Sequence, residues 1–242
     1  MPEVTVIDVP NDPMGYADAL EESGAFDSLS ISREDRQRPE MYQQEGQRKQ
    51  LRHANVSPEE FFKQLEMTAT IGFLDSDTLP RVTQLLAKTN QFNLTNRSHT
   101  APNLQAMTTS GALGLWMRLG DRFGDNGLVA VALAIPENGD NSSDWKIDTF
   151  LMSCRVVGRK VESAFLGVLC NLIRTKGGNS VIGEYIATAK NGMVSEFYQN
   201  HGFKGQDDEG RYWKWNFSDG KVSIPEFISV IIEGEGVDSF GG

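Results

Sequence analysis

From Leu128 to Ile135 the chain is apolar without a break, the pattern of a strand covered on both faces. The run ends in Pro136-Glu137-Asn138-Gly139-Asp140-Asn141, a turn composition, and a returning strand is expected from Trp145 to about Met152. After Cys154 the apolar spacing becomes helical. Val161, Ala164, Phe165, Val168, Leu169, Leu172 and Ile173 form one stripe, and Gly177-Gly178 closes it. Val181 to Ala187 reads as another strand, Asn191 to His201 as a short helix ended by Gly202, and Gly210 to Asn216 as a strand alternating aromatic and polar residues. Upstream, Ser57-Pro58-Glu59-Glu60 has the signature of a helix start, and Leu79 to Lys88 places Val82, Leu85 and Leu86 on one helical face. The order β-β-α-β-α-β from Leu128 to Asn216 predicts an α/β or α+β class with a mixed sheet and helices packed on it.

Residues 1 to 50 differ. An extended Val4-Thr5-Val6-Ile7 and a Pro/Asp turn from Val9 to Pro13 precede a polar stretch, and a helix over Asp35 to Arg52 would expose most of its surface. The expected division is a flanking segment over 1–55, packed on the rest as an ordered flank, and one domain over 56–242. The chain has 242 residues, 39% of them hydrophobic, enough for one large core. No apolar run reaches membrane-spanning length and no secretory signal opens the chain, so no membrane role is expected and the cytoplasm is the expected compartment. The net charge of −10 argues against nucleic acid as a partner. Two cysteines and three histidines predict neither a disulfide nor a metal site.

Three stretches carry a resemblance. They are Lys88-Thr89-Asn90-Gln91-Phe92-Asn93-Leu94-Thr95; Arg122-Phe123-Gly124-Asp125-Asn126-Gly127-Leu128-Val129 with Ile147-Asp148-Thr149-Phe150-Leu151-Met152-Ser153-Cys154-Arg155-Val156-Val157-Gly158-Arg159; and Lys190 to Phe203. Together, over about Phe61 to Trp215, they resemble the GNAT-like C-terminal half of FkbH-family proteins. The resemblance implies a GNAT-like sheet. It also implies transfer of a glyceryl group from 1,3-bisphosphoglycerate to the phosphopantetheine thiol of an acyl carrier protein in polyketide biosynthesis, with a HAD-type phosphatase region in the same or another chain. The near match to a HAD loop, Asp75-Ser76-Asp77-Thr78-Leu79, lacks the required Thr or Val, and Thr70 to Leu74 reads as a poor strand before it. We therefore read Asp75 to Thr78 as a helix entry and expect no phosphatase activity. The first 50 residues resemble the tail that follows a HAD region, as in an excised or shortened C-terminal half.

The GNAT phosphate-binding pattern, Arg/Gln-X-X-Gly-X-Gly/Ala, matches Arg155 to Lys160 except that Lys160 replaces a small residue. Arg155, Gly158, Arg159 and Lys160 are thus the implied phosphate-binding residues. The added charge suits a single carrier-protein phosphate better than the pyrophosphate of coenzyme A. Cys154, beside Arg155 and near a helix N-terminus, is the candidate nucleophile that would form an acyl thioester; Cys170 lies on the helix stripe and reads as structural. Tyr198, seven residues after Asn191 and followed by Gly202-Phe203, matches the GNAT position that protonates a leaving thiolate, or packs under the acyl arm. Asn191 would contact the amides of that arm or cap a helix. His99 is the candidate base for the thiol. Asn90, Gln91, Asn93, Thr95 and Arg97 would bind a hydroxylated acyl chain or cap a turn. His201 reads as a partner of a helix C-terminus. The competing readings are a direct coenzyme A-dependent N- or O-acyltransferase and a non-catalytic carrier-protein docking domain.

Overall fold

The computed structural model describes residues 7–10, 12–24, 33–54, 57–137 and 144–234, with backbone alone over 33–41. The expected segment Val4 to Val6 and the turn residues 138–141 lie outside them, as does Asn11 of the Val9 to Pro13 turn. Two compact units divide between Gly46 and Gln47. In the first, Asp12 caps a 3-10 turn over Pro13–Gly15 by accepting from the Met14 amide at 3.0 Å, and α1 follows at Tyr16–Glu22. Helix α2, Arg33–Ala54, runs across the division.

The second unit carries the sheet. Its helices are α3 (Pro58–Leu65), α4 (Leu79–Lys88), α5 (Ala101–Thr109), α6 (Val161–Thr175) and the single turn α7 (Phe197–Asn200). Its strands are β1 (Met67–Phe73), β2 (Leu113–Asp121), β3 (Gly124–Pro136), β4 (Asp144–Met152), β5 (Ser180–Glu184), β6 (Lys204–Gly205), β7 (Tyr212–Asn216) and β8 (Ile228–Glu233). The order across the sheet is β6-β7-β5-β4-β3-β2-β1-β8. β4 with β5 and β1 with β8 are parallel and the other pairs antiparallel. The expected class, a mixed sheet flanked by helices, is the one this unit adopts.

β3 shows why its apolar run is continuous. Val131 and Leu133 join Leu79, Val82, Leu85 and Leu86 of α4 and Leu104 of α5 on one face. Ala130, Ala132 and Ala134 face the other, with Phe165, Leu166 and Leu169 of α6. Small residues on that face admit the helix closely, while larger ones fill the α4 side.

Several local readings correspond to what forms. The Ser57 hydroxyl caps α3 by accepting from the Glu60 amide at 3.2 Å. The Asp75 carboxylate accepts from the amides of Asp77 and Thr78 at the entry to α4. Other readings need correction. Thr70 to Phe73 belongs to a full strand, β1, whose alternation of buried and half-buried positions pairs with β2 and β8. Its Gly72 leaves room for the Trp116 indole, because a Cβ there would lie 2.3 Å from the ring. β5 ends at Glu184, short of Ala187. The stretch from Asn191 to His201 is a 3-10 turn, Gly192–Val194, followed by α7 rather than one helix. Helix α5 and strands β2 and β8 were not expected at all.

Between β7, next to one edge of the sheet, and β8, at the other edge, the chain must cross the sheet. Residues 217–227 make that crossing over α6, where Gly167 admits Ile224: a Cβ on Gly167 would stand 2.5 Å from the Ile224 side chain. Phe227 then stacks on Phe62 of α3 at 4.9 Å. We call this segment the strap.

Candidate functional site

β4 and β5 pair only from Asp144↔Ser180 to Ile147↔Gly183. Beyond that point they diverge, and residues 92–94 fill the opening. The Leu94 amide donates to the Phe150 carbonyl (3.1 Å) and the Met152 amide to the Phe92 carbonyl (2.9 Å), an antiparallel bridge centred on Asn93 and Leu151. On the far side the Ile186 amide donates to the Leu94 carbonyl at 2.8 Å. The backbone groups along this half of β4 that face the opening are therefore already paired within the chain.

Asn191 holds this wedge in place. Its side-chain nitrogen donates to the carbonyls of Asn93 (2.9 Å) and Ile186 (3.0 Å), and its oxygen accepts from the Thr188 amide at 2.7 Å. Fully buried and saturated, it binds the chain itself rather than the amides of an arm. Of the residues expected to meet an acyl chain, Asn93 donates to the Thr89 carbonyl and accepts from the Asn96 amide, and Thr95 donates to the Asp148 carbonyl. Asn90 and Gln91 are exposed beside them. Asn93 bonds the backbone of its own turn, and Thr95 ties that turn to β4.

Arg97 turns the other way. One of its nitrogens donates to Glu184 at 2.7 Å, and Lys146 (2.9 Å) and Arg211 (2.7 Å) reach the same carboxylate. Burial alone would raise this carboxyl, but hydrogen bonds from Arg97, Lys146 and Arg211 outweigh it and hold Glu184 at about 2. His99 is half-buried with its Nε2 at 2.7 Å from Asp148. Among the described residues no hydrogen bond joins it to Cys154.

The segment from Ser153 to Lys160 leads from β4 into α6. Cys154 is exposed and opens a 3-10 turn, Cys154–Val156, while Cys170 is buried in the core, where desolvation pushes its thiol far up. Arg155 is exposed and donates to the Ser153 hydroxyl at 3.2 Å. Arg159, expected to meet phosphate, instead donates to Asp121 at 3.1 Å and to the Arg155 carbonyl at 3.0 Å. Asp121 also takes a two-pronged bond from Arg48, at 2.7 and 2.9 Å. Burial opposes ionisation of Asp121, and Arg48, the Phe123 amide and Arg159 overcome it. Gly158 has φ +80°, and Lys160, at φ 62°, occupies the cap of α6 in the left-handed region with no side-chain hydrogen bond to the helix. The last position of the pattern is thus one where glycine would sit without strain and lysine sits with it.

The N-terminus of α6, the turn and helix over 192–202 and the strap border a half-open cavity of about 620 Å³. Lys160, Ser163, His201, Trp215 and Lys221 line it, and Phe92 of the wedge closes one end. Ser163 Oγ lies 2.8 Å from His201 Nε2, and His201 Nδ1 lies 2.7 Å from the Phe197 carbonyl. Glu162 Oε2 and Trp215 Nε1, buried atoms of two lining residues, have no hydrogen-bond partner among the described residues. Burial raises the Glu162 carboxyl against the pull of its own amide and Lys160.

Tyr198, expected to protonate a leaving thiolate, lies in the core. Its ring fills the space over Gly183, and burial above all, then the nearby Cys170, drives its hydroxyl far up. Among the described residues the hydroxyl has no hydrogen bond of ordinary geometry, though the Glu184 backbone lies close enough to interact with it. Among the described residues no group of His, Cys, Asp and Glu is placed to hold a metal ion, and no helix is long and apolar enough to cross a membrane.

No family model matches the chain, and no curated protein matches it. Solved structures with a similar arrangement include a putative GNAT-family acetyltransferase from Desulfovibrio desulfuricans, at 13% identity over 61% of this chain and 98% of that one, TM-score 0.48. A GNAT-family acetyltransferase from Staphylococcus aureus is 10% identical over 61% and 98%, TM-score 0.47. YncA, a putative acetyltransferase from Salmonella typhimurium solved with acetyl-CoA, is 14% identical over 65% and 98%, TM-score 0.44.

Proposed function

We propose that the chain is an acyltransferase in which Cys154 accepts an acyl group and passes it to the thiol of a phosphopantetheine arm on an acyl carrier protein. The observation that carries this reading is the contrast between the two cysteines. Cys154 is exposed at the end of β4, where the chain turns toward the cavity beside α6, whereas Cys170 is buried where a thiolate is strongly disfavoured. A thiolate at position 154 would attack the carbonyl carbon of an acyl phosphate, expelling phosphate and leaving a thioester. The carrier thiolate would then attack that thioester and regenerate Cys154, exchanging one thioester for another at small cost.

The cavity is the place for the arm, since the opening between β4 and β5 is filled by residues 92–94. Lys160 at the cap of α6 and Lys221 on the strap would face its phosphate, helped by the positive end of a 15-residue helix. Arg155 is the exposed arginine of the motif, Arg159 being committed to Asp121. Gly158 supplies the left-handed turn before the cap. The acyl donor is a glyceryl-type acyl phosphate such as 1,3-bisphosphoglycerate, delivered by a HAD-type phosphatase region.

Intact mass after incubation with 1,3-bisphosphoglycerate, magnesium and a HAD-type partner tests the reading. A glyceryl adduct on the unaltered chain, absent from Cys154→Ala and discharged by a carrier protein bearing its arm, is the expected result. Adduct formation by both proteins, or discharge to free coenzyme A but not to the carrier, would sink it in favour of direct coenzyme A-dependent transfer.

A further inference from the structure

Cys154 is not the only side chain arranged for acyl chemistry. The cavity wall holds Ser163, third residue of α6, and His201, which follows α7. The Phe197 carbonyl can only accept a hydrogen bond, so at 2.7 Å from it His201 Nδ1 must carry a proton. In the neutral ring Nε2 then presents its lone pair, and the Ser163 hydroxyl, 2.8 Å away, donates to it. That is the tautomer and the direction of hydrogen bonding a general base needs to activate a serine. The Phe197 ring, 4.6 Å from the imidazole between centroids, packs against it and is itself held edge-on by Phe92.

We propose that Ser163 and His201 form a nucleophile–base pair that takes a short acyl group from an ester or thioester in this cavity and releases it to water. Ser163 Oγ attacks the carbonyl carbon while its proton passes to His201 Nε2. Collapse of the tetrahedral adduct breaks the carbon–sulfur or carbon–oxygen bond, and the leaving group takes the proton from Nε2. Water, deprotonated in turn by Nε2, then cleaves the acyl-serine, yielding a carboxylic acid and the free hydroxyl. Negative charge developing on the carbonyl oxygen lies at the first turn of α6, where the helix dipole and Lys160 both favour it.

A further observation supports the pair. Burial, and secondarily Lys160, lower the affinity of His201 for a second proton against the pull of the Phe197 carbonyl, so the ring stays neutral at pH 7. This chemistry does not depend on Cys154, and its test removes that residue.

The Cys154→Ala protein is incubated with p-nitrophenyl acetate, and nitrophenolate release and the acetylated peptide are followed. Turnover with acetyl found on Ser163 is expected, lost on adding Ser163→Ala and slowed roughly 100-fold or more on adding His201→Gln. Equal turnover with and without Ser163→Ala would overturn the proposal. A fluorophosphonate probe on the unaltered chain needs no folding control: label on the Ser163 peptide supports the pair, and label elsewhere or none rejects it. Loss of glyceryl transfer with serine labelling retained would count against the Cys154 reading alone.

Discussion

At the scale of single residues, the chain spends its polar groups on itself more than its motifs suggest. Asn191, Asn93 and Arg159 sit where a ligand was expected and are saturated by neighbours instead. Tyr198 is the sharpest case, because a buried hydroxyl without a well-formed hydrogen bond lowers stability rather than adding to it. Tyr198→Phe should leave the urea midpoint unchanged or raise it, corresponding to between zero and about 1 kcal/mol. Glyceryl transfer should also persist. A large loss of transfer in a folded Tyr198→Phe protein would restore the tyrosine as an acid.

At the scale of elements, the strap is built on one missing side chain. α6 carries Gly167 at mid-helix, where glycine costs about 1 kcal/mol relative to alanine, and the gain is close contact with Ile224 and the Val222 carbonyl. Gly167→Val should push the strap away and cost about 2–3 kcal/mol by overpacking and a β-branched helical residue, read from chemical denaturation. An unchanged midpoint would mean that the strap is not seated there. Periodicity made α6, α4 and β3 legible, since each buries one stripe or a whole run. It missed β1 and β2 because Gly72, Gly114 and Gly120 interrupt their apolar pattern, two of them making room for the side chains of Trp116 and Leu74. It missed β8 because an edge strand buries little: Ile228 is buried, yet Ile231 is half exposed. The Ser163–His201 pair, 38 residues apart, had no local signal; only the packing of α7 on α6 brings it together.

At the scale of the molecule, acidity should act through Glu184, which ties Arg97, Lys146 and Arg211 to one buried carboxylate. Its folded value of about 2 lies below the ordinary 4.5, so the unfolded chain binds this proton more readily. Its contribution is complete above pH 4.5 and drains away as pH falls toward 2. About 3 kcal/mol of stability is the upper range for that loss. Glu184→Gln should flatten this part of the stability-against-pH curve, and an identical slope in both proteins would exclude Glu184 as its source.

The wedge over residues 92–94 has a consequence for how the molecule comes together. Its partners lie near residues 150 and 186, on either side of α6 in the chain, so no local segment can close it. β4 and β5 already join the two halves of the sheet from Asp144 to Ile147, but beyond that point the surface is continuous only when this short stretch arrives between them. It acts as a keystone, and the order of assembly implied is helices and hairpins first, the joint between β4 and β5 last.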